Sequence, residues 1–185
     1  TDIDAMVRMT VGEMLTNLVW AKISRFEDIK CSGNWMWPFK GSNDKYLLYK
    51  AVSKLSEFLI ELGISIDGGK DSLSMSSKIN NDIVKSPRTL VMSAYVCCPD
   101  INKVVTPDFK EENSSIIFVD LSNGNCRLGG SAFAQTTKQI GCEIPTVDDP
   151  NILKNSFKII QMLIEENMIL SGHDRSDGGL IATLL

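Results

Sequence analysis

Apolar residues recur at helical spacing from about Asp4 to Ile23, where Val7, Val11, Met14, Leu15, Leu18 and Val19 form one stripe. A broader stripe follows from near Asp44 through Leu47, Leu48, Ala51, Val52, Leu55, Phe58, Leu59 and Leu62. Ser42, Asn43 or Asp44 can cap its start, and Gly63 is a natural stop. Between them, Arg25 to Lys40 has no regular period and ends in the cluster Asn34-Trp35-Met36-Trp37-Pro38-Phe39, which reads as packing rather than a base-stacking platform. A β-branched run at Ile64-Ser65-Ile66 stops at Gly68-Gly69 before alternation resumes at Ser72-Leu73-Ser74-Met75, so the glycines read as a turn. Asn80-Asn81-Asp82 signals another turn, and Leu90 to Cys97 reads as a buried strand. Two strands across polar text predict an antiparallel sheet with the helices on one face.

The charged stretch Asp108 to Ser114 divides the chain, and apolar periodicity restarts after it. Residues 1–110 are therefore read as one α+β domain and residues 111–185 as the start of a second, α/β domain. In the second part Ser115 to Leu121 reads as a strand, Ser122 to Asn125 as a turn, and Ser131 to Lys138 as a short helix behind Gly129-Gly130. That glycine pair suits close helix packing better than an anion cradle. Asp148-Asp149-Pro150 caps a further helix with Ile159, Ile160, Leu163 and Ile164 inward, and Met168-Ile169-Leu170 reads as a strand leading into His173-Asp174.

Composition narrows the function classes. The 185 residues carry 19 Lys and Arg against 23 Asp and Glu, a formal net charge of -4, with no basic stripe to support nucleic-acid binding. No apolar run approaches the roughly 20 residues of a helical membrane span. Five cysteines, Cys31, Cys97, Cys98, Cys126 and Cys142, include no C-x-x-C spacing, which argues against a zinc site or a disulfide framework and for reduced thiols in a cytosolic protein. The chain starts without Met or a signal segment and stops in an uncapped helical pattern at Ile181 to Leu185, so it reads as a fragment.

Three stretches carry candidate chemistry. Glu13 and Asn17 are four apart, which on a helix brings a carboxylate and an amide oxygen to one face, as a hard cation or a solvated pair would use them. The paired glycines before Lys70, Asp71 and Ser72 suit either an anion-binding turn or an ordinary hairpin. Asp174, Ser176 and Asp177 precede a glycine-started helix, where a carboxylate can hold a cation and a hydroxyl can meet a phosphate oxygen, or where an Asp-Gly turn simply caps the helix. Magnesium-bound nucleotide is the natural ligand of such a set. His173, the single histidine, reads as a packed or supporting group.

Taken together, Thr10-Val11-Gly12-Glu13-Met14-Leu15-Thr16-Asn17-Leu18, Ile64 to Met75 and Ser171-Gly172-His173-Asp174-Arg175-Ser176-Asp177-Gly178-Gly179-Leu180, in this order, resemble the large glutamine-dependent phosphoribosylformylglycinamidine synthases over almost the whole chain. Cys31 to Met36 and Ile140-Gly141-Cys142 add to the resemblance. It implies an aminoimidazole-ribonucleotide-synthetase-like N-terminal domain in its second copy, followed by a truncated C-terminal domain. The implied reaction joins formylglycinamide ribonucleotide, ATP and glutamine-derived ammonia through an iminophosphate, giving formylglycinamidine ribonucleotide, glutamate, ADP and phosphate. The resemblance further implies that Glu13, Asn17 and Asp174 are Mg2+ ligands and that Ser176 contacts a retained ATP or ADP rather than the consumed one.

In shorter relatives of the family the turn at Gly69, Lys70 and Ser72 reads Gly-Asn-x-Ser and reaches the catalytic site of the other half. Lys70 keeps an anion-binding role there and is unsuited to ligating a metal while charged. The first synthetase half and the glutaminase domain are then the missing partners, and no catalytic residue is assigned within the chain, which is expected to be inactive alone. Two alternatives stand beside this reading: a structural nucleotide-binding module with no catalytic part, and a free-standing kinase-like member of the same superfamily, such as a thiamine-phosphate or selenophosphate kinase relative.

Overall fold

A computed structural model describes residues 2–185. Helix α1, Ile3–Leu18, starts where the Asp2 carboxylate accepts from the backbone N–H of Asp4 and Ala5, and it buries Val7, Val11, Met14 and Leu15. Helix α2, Ser42–Leu62, buries Ala51, Leu55, Phe58, Leu59 and Leu62. Gly63 ends it at φ 76°, with the Gly63 N–H donating to Ile60 O and the Ile64 N–H to Leu59 O, the double closure that a left-handed residue permits. Lys154 Nζ donates to Leu62 O at 2.7 Å and satisfies a further carbonyl at that end.

The sheet departs from the sequence expectation in an informative way. Strand β1, Lys30–Met36, lies in the centre, although its sequence looks irregular. Strand β2, Ser65–Ser72, runs parallel to it on one side, and β5, Thr89–Tyr95, runs antiparallel on the other. The two strands expected to pair with each other are therefore both partners of β1. Gly68 and Gly69 are not a turn: they lie inside β2 opposite Ser32 and Gly33. A Cβ on Gly69 would stand 2.6 Å from Gly33 O, so the glycine serves close strand approach rather than chain reversal. Strands β3, Ser76–Ile79, and β4, Asp82–Lys85, form a separate hairpin about the expected turn, with Asn80 at φ 56°.

Helices α1 and α2 cover one face of the three-stranded sheet, giving an α+β fold. The core runs from Ile3 and Val7 through Ile29, Cys31 and Trp37 to Phe58, Leu62 and Met92. Trp37 is fully buried and its indole N–H donates to Asp44 O at 2.9 Å, and Trp35 packs partly buried against the core, so these two members of the aromatic cluster serve packing as expected while Phe39 is exposed. The Asp44 carboxylate, 1% exposed, accepts from Lys85 Nζ and Arg88 Nη2 at 2.6 Å each. These hydrogen bonds hold its pKa down at about 2.

In the second part, α3 spans Ala132–Thr136 behind the Ser131 cap, and α4 spans Pro150–Glu165 behind the Asp149 cap. The inward face of α4 is Leu153, Phe157, Gln161 and Ile164. Of the four positions expected inward only Ile164 is buried, because the stripe is set one step earlier by Phe157 packing edge-on to Phe26 at 5.2 Å. Residues 115–121 and 168–170 form no strand; Ile116 to Val119 stand exposed, with no strand beside them among the described residues. A last short helix, α5, spans Gly179–Leu184. No helix among the described residues is long and apolar enough to cross a membrane.

Candidate functional site

The i, i+4 spacing on α1 places Glu13 and Asn17 on its exposed face, one turn apart. Residues 171–176 return to this face. Asn17 Nδ2 donates to Glu13 Oε1 at 3.2 Å and to Asp174 Oδ2 at 3.4 Å, across 157 positions of sequence. Ser176 Oγ donates to Glu13 Oε1 at 3.0 Å. All four candidates from the two distant motifs thus meet at one point. The Asp174 side chain is only 7% exposed, whereas that of His173, whose Nδ1 lies 3.4 Å from Asp174 Oδ1, is half exposed.

The two carboxylates share the Asn17 amide, Glu13 alone also accepts from the Ser176 hydroxyl, and no Lys or Arg forms an ion pair with either among the described residues. That donor set fits a magnesium ion: two carboxylates and one amide oxygen are hard oxygen ligands, and room is left for water or phosphate oxygens. The amide of Asn17 presents its nitrogen to both carboxylates, and a half-turn about its last torsion would present its oxygen instead. Beside the cluster a cleft of about 690 Å³ opens between α1 and β5, lined by Met9, Thr10, Glu13, Asn17, Val91 and Ser93.

Gly12 earns its place here as well. It is buried, and a Cβ on it would meet Val147 Cγ2 at 3.0 Å, while Arg8 Nη1 donates to Val147 O at 3.2 Å. The second part of the chain is thereby held close along α1.

The Gly69, Lys70 and Ser72 stretch is placed elsewhere. It lies on β2, the edge strand beside α2, while α1 runs along β5 at the opposite edge. Lys70 and Ser72 point to one face of β2, and Lys70 Nζ donates to Ser72 Oγ at 2.9 Å and to Asp71 O at 3.2 Å. Opposite Lys70 on β1 stands Asn34, whose Oδ1 is buried without a partner among the described residues. A bulge at Asp67 turns its carboxylate toward Tyr95, whose hydroxyl donates to it; that hydrogen bond raises the tyrosine pKa. The structure therefore presents two separate polar places, and it does not bring the three β2 residues to Glu13 or Asp174.

Sequence reasoning missed a buried polar tie between α4 and the segment that follows α1. Gln161, buried on α4, donates through Nε2 to Val19 O at 2.7 Å and Ala21 O at 2.9 Å, and accepts from the Ile23 N–H at 2.9 Å. A glutamine in the middle of an apolar helix face is the signal that was there to be read. Of the five cysteines only Cys31 is buried, and burial pushes its thiol up to about 11.

A family model described as "FGAR-AT PurM_N-like domain" matches residues 1–97. The chain is 53% identical over 186 residues to the probable phosphoribosylformylglycinamidine synthase, chloroplastic/mitochondrial, of Arabidopsis thaliana, covering 100% of this chain and 13% of that protein. It is 45% identical over 180 residues to phosphoribosylformylglycinamidine synthase of Homo sapiens, covering 96% of this chain and 14% of that one. Among solved structures, T. maritima PurL complexed with ATP is similar at a TM-score of 0.50 and 12% identity, covering 96% of this chain and 25% of that chain, a likeness of fold. The chain thus spans about one seventh of the length of these synthases.

Proposed function

The chain belongs to the phosphoribosylformylglycinamidine synthase family, and from that premise we propose that it is the part of an ATP-dependent amidoligase that holds a retained nucleotide. The whole enzyme converts formylglycinamide ribonucleotide, glutamine and ATP to formylglycinamidine ribonucleotide, glutamate, ADP and phosphate in purine synthesis. The observation that carries the reading is the meeting of Glu13 and Asn17 with Asp174 and Ser176 across more than 150 positions of chain. Glu13, Asn17 and Asp174 hold Mg2+ and Ser176 donates to a phosphate oxygen of ADP or ATP. A magnesium ion held by these residues would offset the repulsion between the two carboxylates and the phosphates.

Gly69, Lys70 and Ser72 bind an anionic group separately, at the β2 edge, where the missing first half of the synthetase would meet them. Lys70 Nζ and Ser72 Oγ, 2.9 Å apart on one face, are a paired donor set for a phosphate. We divide the chain into an N-terminal domain of residues 1–110 and a C-terminal part of residues 111–185; the family model covers residues 1–97, within the first of these. The glutaminase domain lies outside these residues, so this chain alone is inactive. We place the enzyme in the cytoplasm; the Arabidopsis relative is named chloroplastic/mitochondrial.

One observation favours the second reading, a purely structural nucleotide module: the β2 residues and the carboxylate cluster sit at opposite sheet edges. Substitution decides between the two. Lys70→Ala or Ser72→Ala in the full-length synthase abolishes turnover while leaving Mg-ADP binding at the cluster intact if β2 serves catalysis; unchanged turnover leaves the structural reading. Glu13→Gln and Asp174→Asn each remove one component of Mg-ADP binding in titration calorimetry, and retention of that component in both variants overturns the assignment of the cluster.

A further inference from the structure

Helix α1 carries one half of the cluster and the segment at residues 171–176 carries the other, so some contact must set the distance between them. Immediately after α1, Trp20 is fixed by its backbone. Its carbonyl accepts from the Val105 N–H at 2.8 Å, and its neighbours Val19 and Ala21 give their carbonyls to Gln161. The adjoining Lys22 N–H donates to Lys103 O at 2.8 Å, and Ala21 bridges Val104 in antiparallel register. Thr106, next along that same segment, accepts from the Gly172 N–H at 3.2 Å. Residues 103–106 thus tie the backbone of Trp20 to that of Gly172, and the Trp20 ring stands against Gly172, two residues before Asp174 and four before Ser176.

The approach is close enough that only glycine fits. A Cβ on Gly172 would lie 2.0 Å from Trp20 Cζ3, 2.5 Å from Cε3 and 2.7 Å from Cη2. Carbon atoms in contact keep about 3.5 Å apart, so a methyl group there forces a displacement of about 1.5 Å. The Trp20 backbone is tied to Val105 while its indole N–H, buried without a partner among the described residues, does not fix the ring, so the displacement is shared between the ring and the segment that bears Asp174.

We propose that Trp20 and Gly172 are positioning residues: their ring-on-backbone contact sets the separation of Asp174 and Ser176 from Glu13 and Asn17, and so decides whether the magnesium-nucleotide site assembles. The inference rests on the reading of that site given above. Neither residue is among the four side chains of the cluster. Their effect passes through the backbone of residues 172–174, as supporting groups of a metal site act through the ligands they orient.

The test is a pair of substitutions in the full-length synthase, read as Mg-ADP affinity by titration calorimetry, at a temperature where near-ultraviolet circular dichroism shows each variant folded. Gly172→Ala weakens Mg-ADP binding at this site by roughly 10- to 100-fold, the range seen when groups supporting metal ligands are altered. Trp20→Leu in the Gly172→Ala background recovers affinity, because the two changes act on one contact and are not additive. Affinity of Gly172→Ala within twofold of the parent, or a double variant no tighter than Gly172→Ala, overturns the proposal. Should Gly172→Ala alone not fold, the double variant must both fold and bind; one that folds and binds no Mg-ADP overturns it equally. A parent enzyme whose Mg-ADP binding is unmoved by Glu13→Gln removes the site itself, whereas a parent sensitive to Glu13→Gln beside an unperturbed Gly172→Ala removes only the positioning role.

Discussion

Gly68 and Gly69 are adjacent, alike in sequence and different in what surrounds them, which makes them a sharp test of β2 as a strand. A Cβ on Gly69 meets Gly33 O at 2.6 Å and the Gly33 N and C at 3.6 Å. Its immediate obstacle is backbone of the central strand, which cannot rotate away as a side chain does. Opening β1 from β2 by several tenths of an ångström lengthens the ladder hydrogen bonds about Gly33, and overpacking of this kind costs about 1–3 kcal/mol. A Cβ on Gly68 meets only Ser32 Oγ at 3.6 Å and Ser32 Cβ at 3.9 Å, ordinary contacts. Neither glycine has a left-handed φ, so alanine at Gly68 loses unfolded-chain entropy without strain and is neutral or stabilising by up to about 1 kcal/mol.

Urea and thermal unfolding of the two variants measure the difference. Gly69→Ala lowers the midpoint by roughly 2–12 °C, at about 2–4 °C per kcal/mol for a chain of this size, and Gly68→Ala leaves it unchanged or higher. Equal losses in both variants would refute the strand reading, since a turn needing left-handed backbone at the pair penalises alanine at either position.

Asp44, the cysteines and Gln161 carry three further predictions. The depressed Asp44 pKa contributes stability that is present above the unfolded carboxylate value of about 3.9 and lost as pH falls through about 2, so Asp44→Asn flattens the acid limb of a melting-temperature profile between those values; Asp108, held near 2 by Lys110 and Thr106, keeps part of the slope. A thiol reagent at neutral pH modifies the exposed Cys97, Cys98, Cys126 and Cys142 promptly, and Cys31 only on unfolding; prompt reaction of all five contradicts the burial of β1. Gln161→Leu strands Val19 O, Ala21 O and the Ile23 N–H and destabilises by about 1–3 kcal/mol for each group left unsatisfied, seen as an early urea transition; a neutral result contradicts the buried network.

Helices were legible because their signals are local. The α2 stripe, the Gly63 stop and the Asp149-Pro150 start each lie within one turn of what they govern. Strand β1 was not, since its inward positions are Cys31, Gly33 and Trp35, and the middle one is empty of side chain so that Ile66 and Met92 can approach; a Cβ there would meet Ile66 Cδ1 at 3.1 Å. Gly69 misled for the same reason, as close strand approach and chain reversal call for the same residue. Residues 115–121 have the β-branched content of a strand and no partner beside them among the described residues, and a strand is defined by its partner.

Of the candidate site, spacing alone gave the Glu13 and Asn17 pair. Asp174 and Ser176 joined it through family resemblance, and the structure independently brings them within hydrogen-bond reach. The Trp20 to Gly172 contact joins a residue outside every motif to one inside the last, with no periodic signal between them, so only the fold reveals it.

The most direct measurement is thermal unfolding with and without magnesium-ADP, for the parent and for Glu13→Gln with Asp174→Asn combined. At 100 times its dissociation constant the ligand adds about 2.7 kcal/mol, a rise of roughly 5–11 °C for a chain of this size. The account predicts that rise in the parent, only with magnesium present, and its disappearance in the double variant. A rise of equal size in the double variant, or none in the parent, contradicts the claim that these residues form a magnesium-nucleotide site.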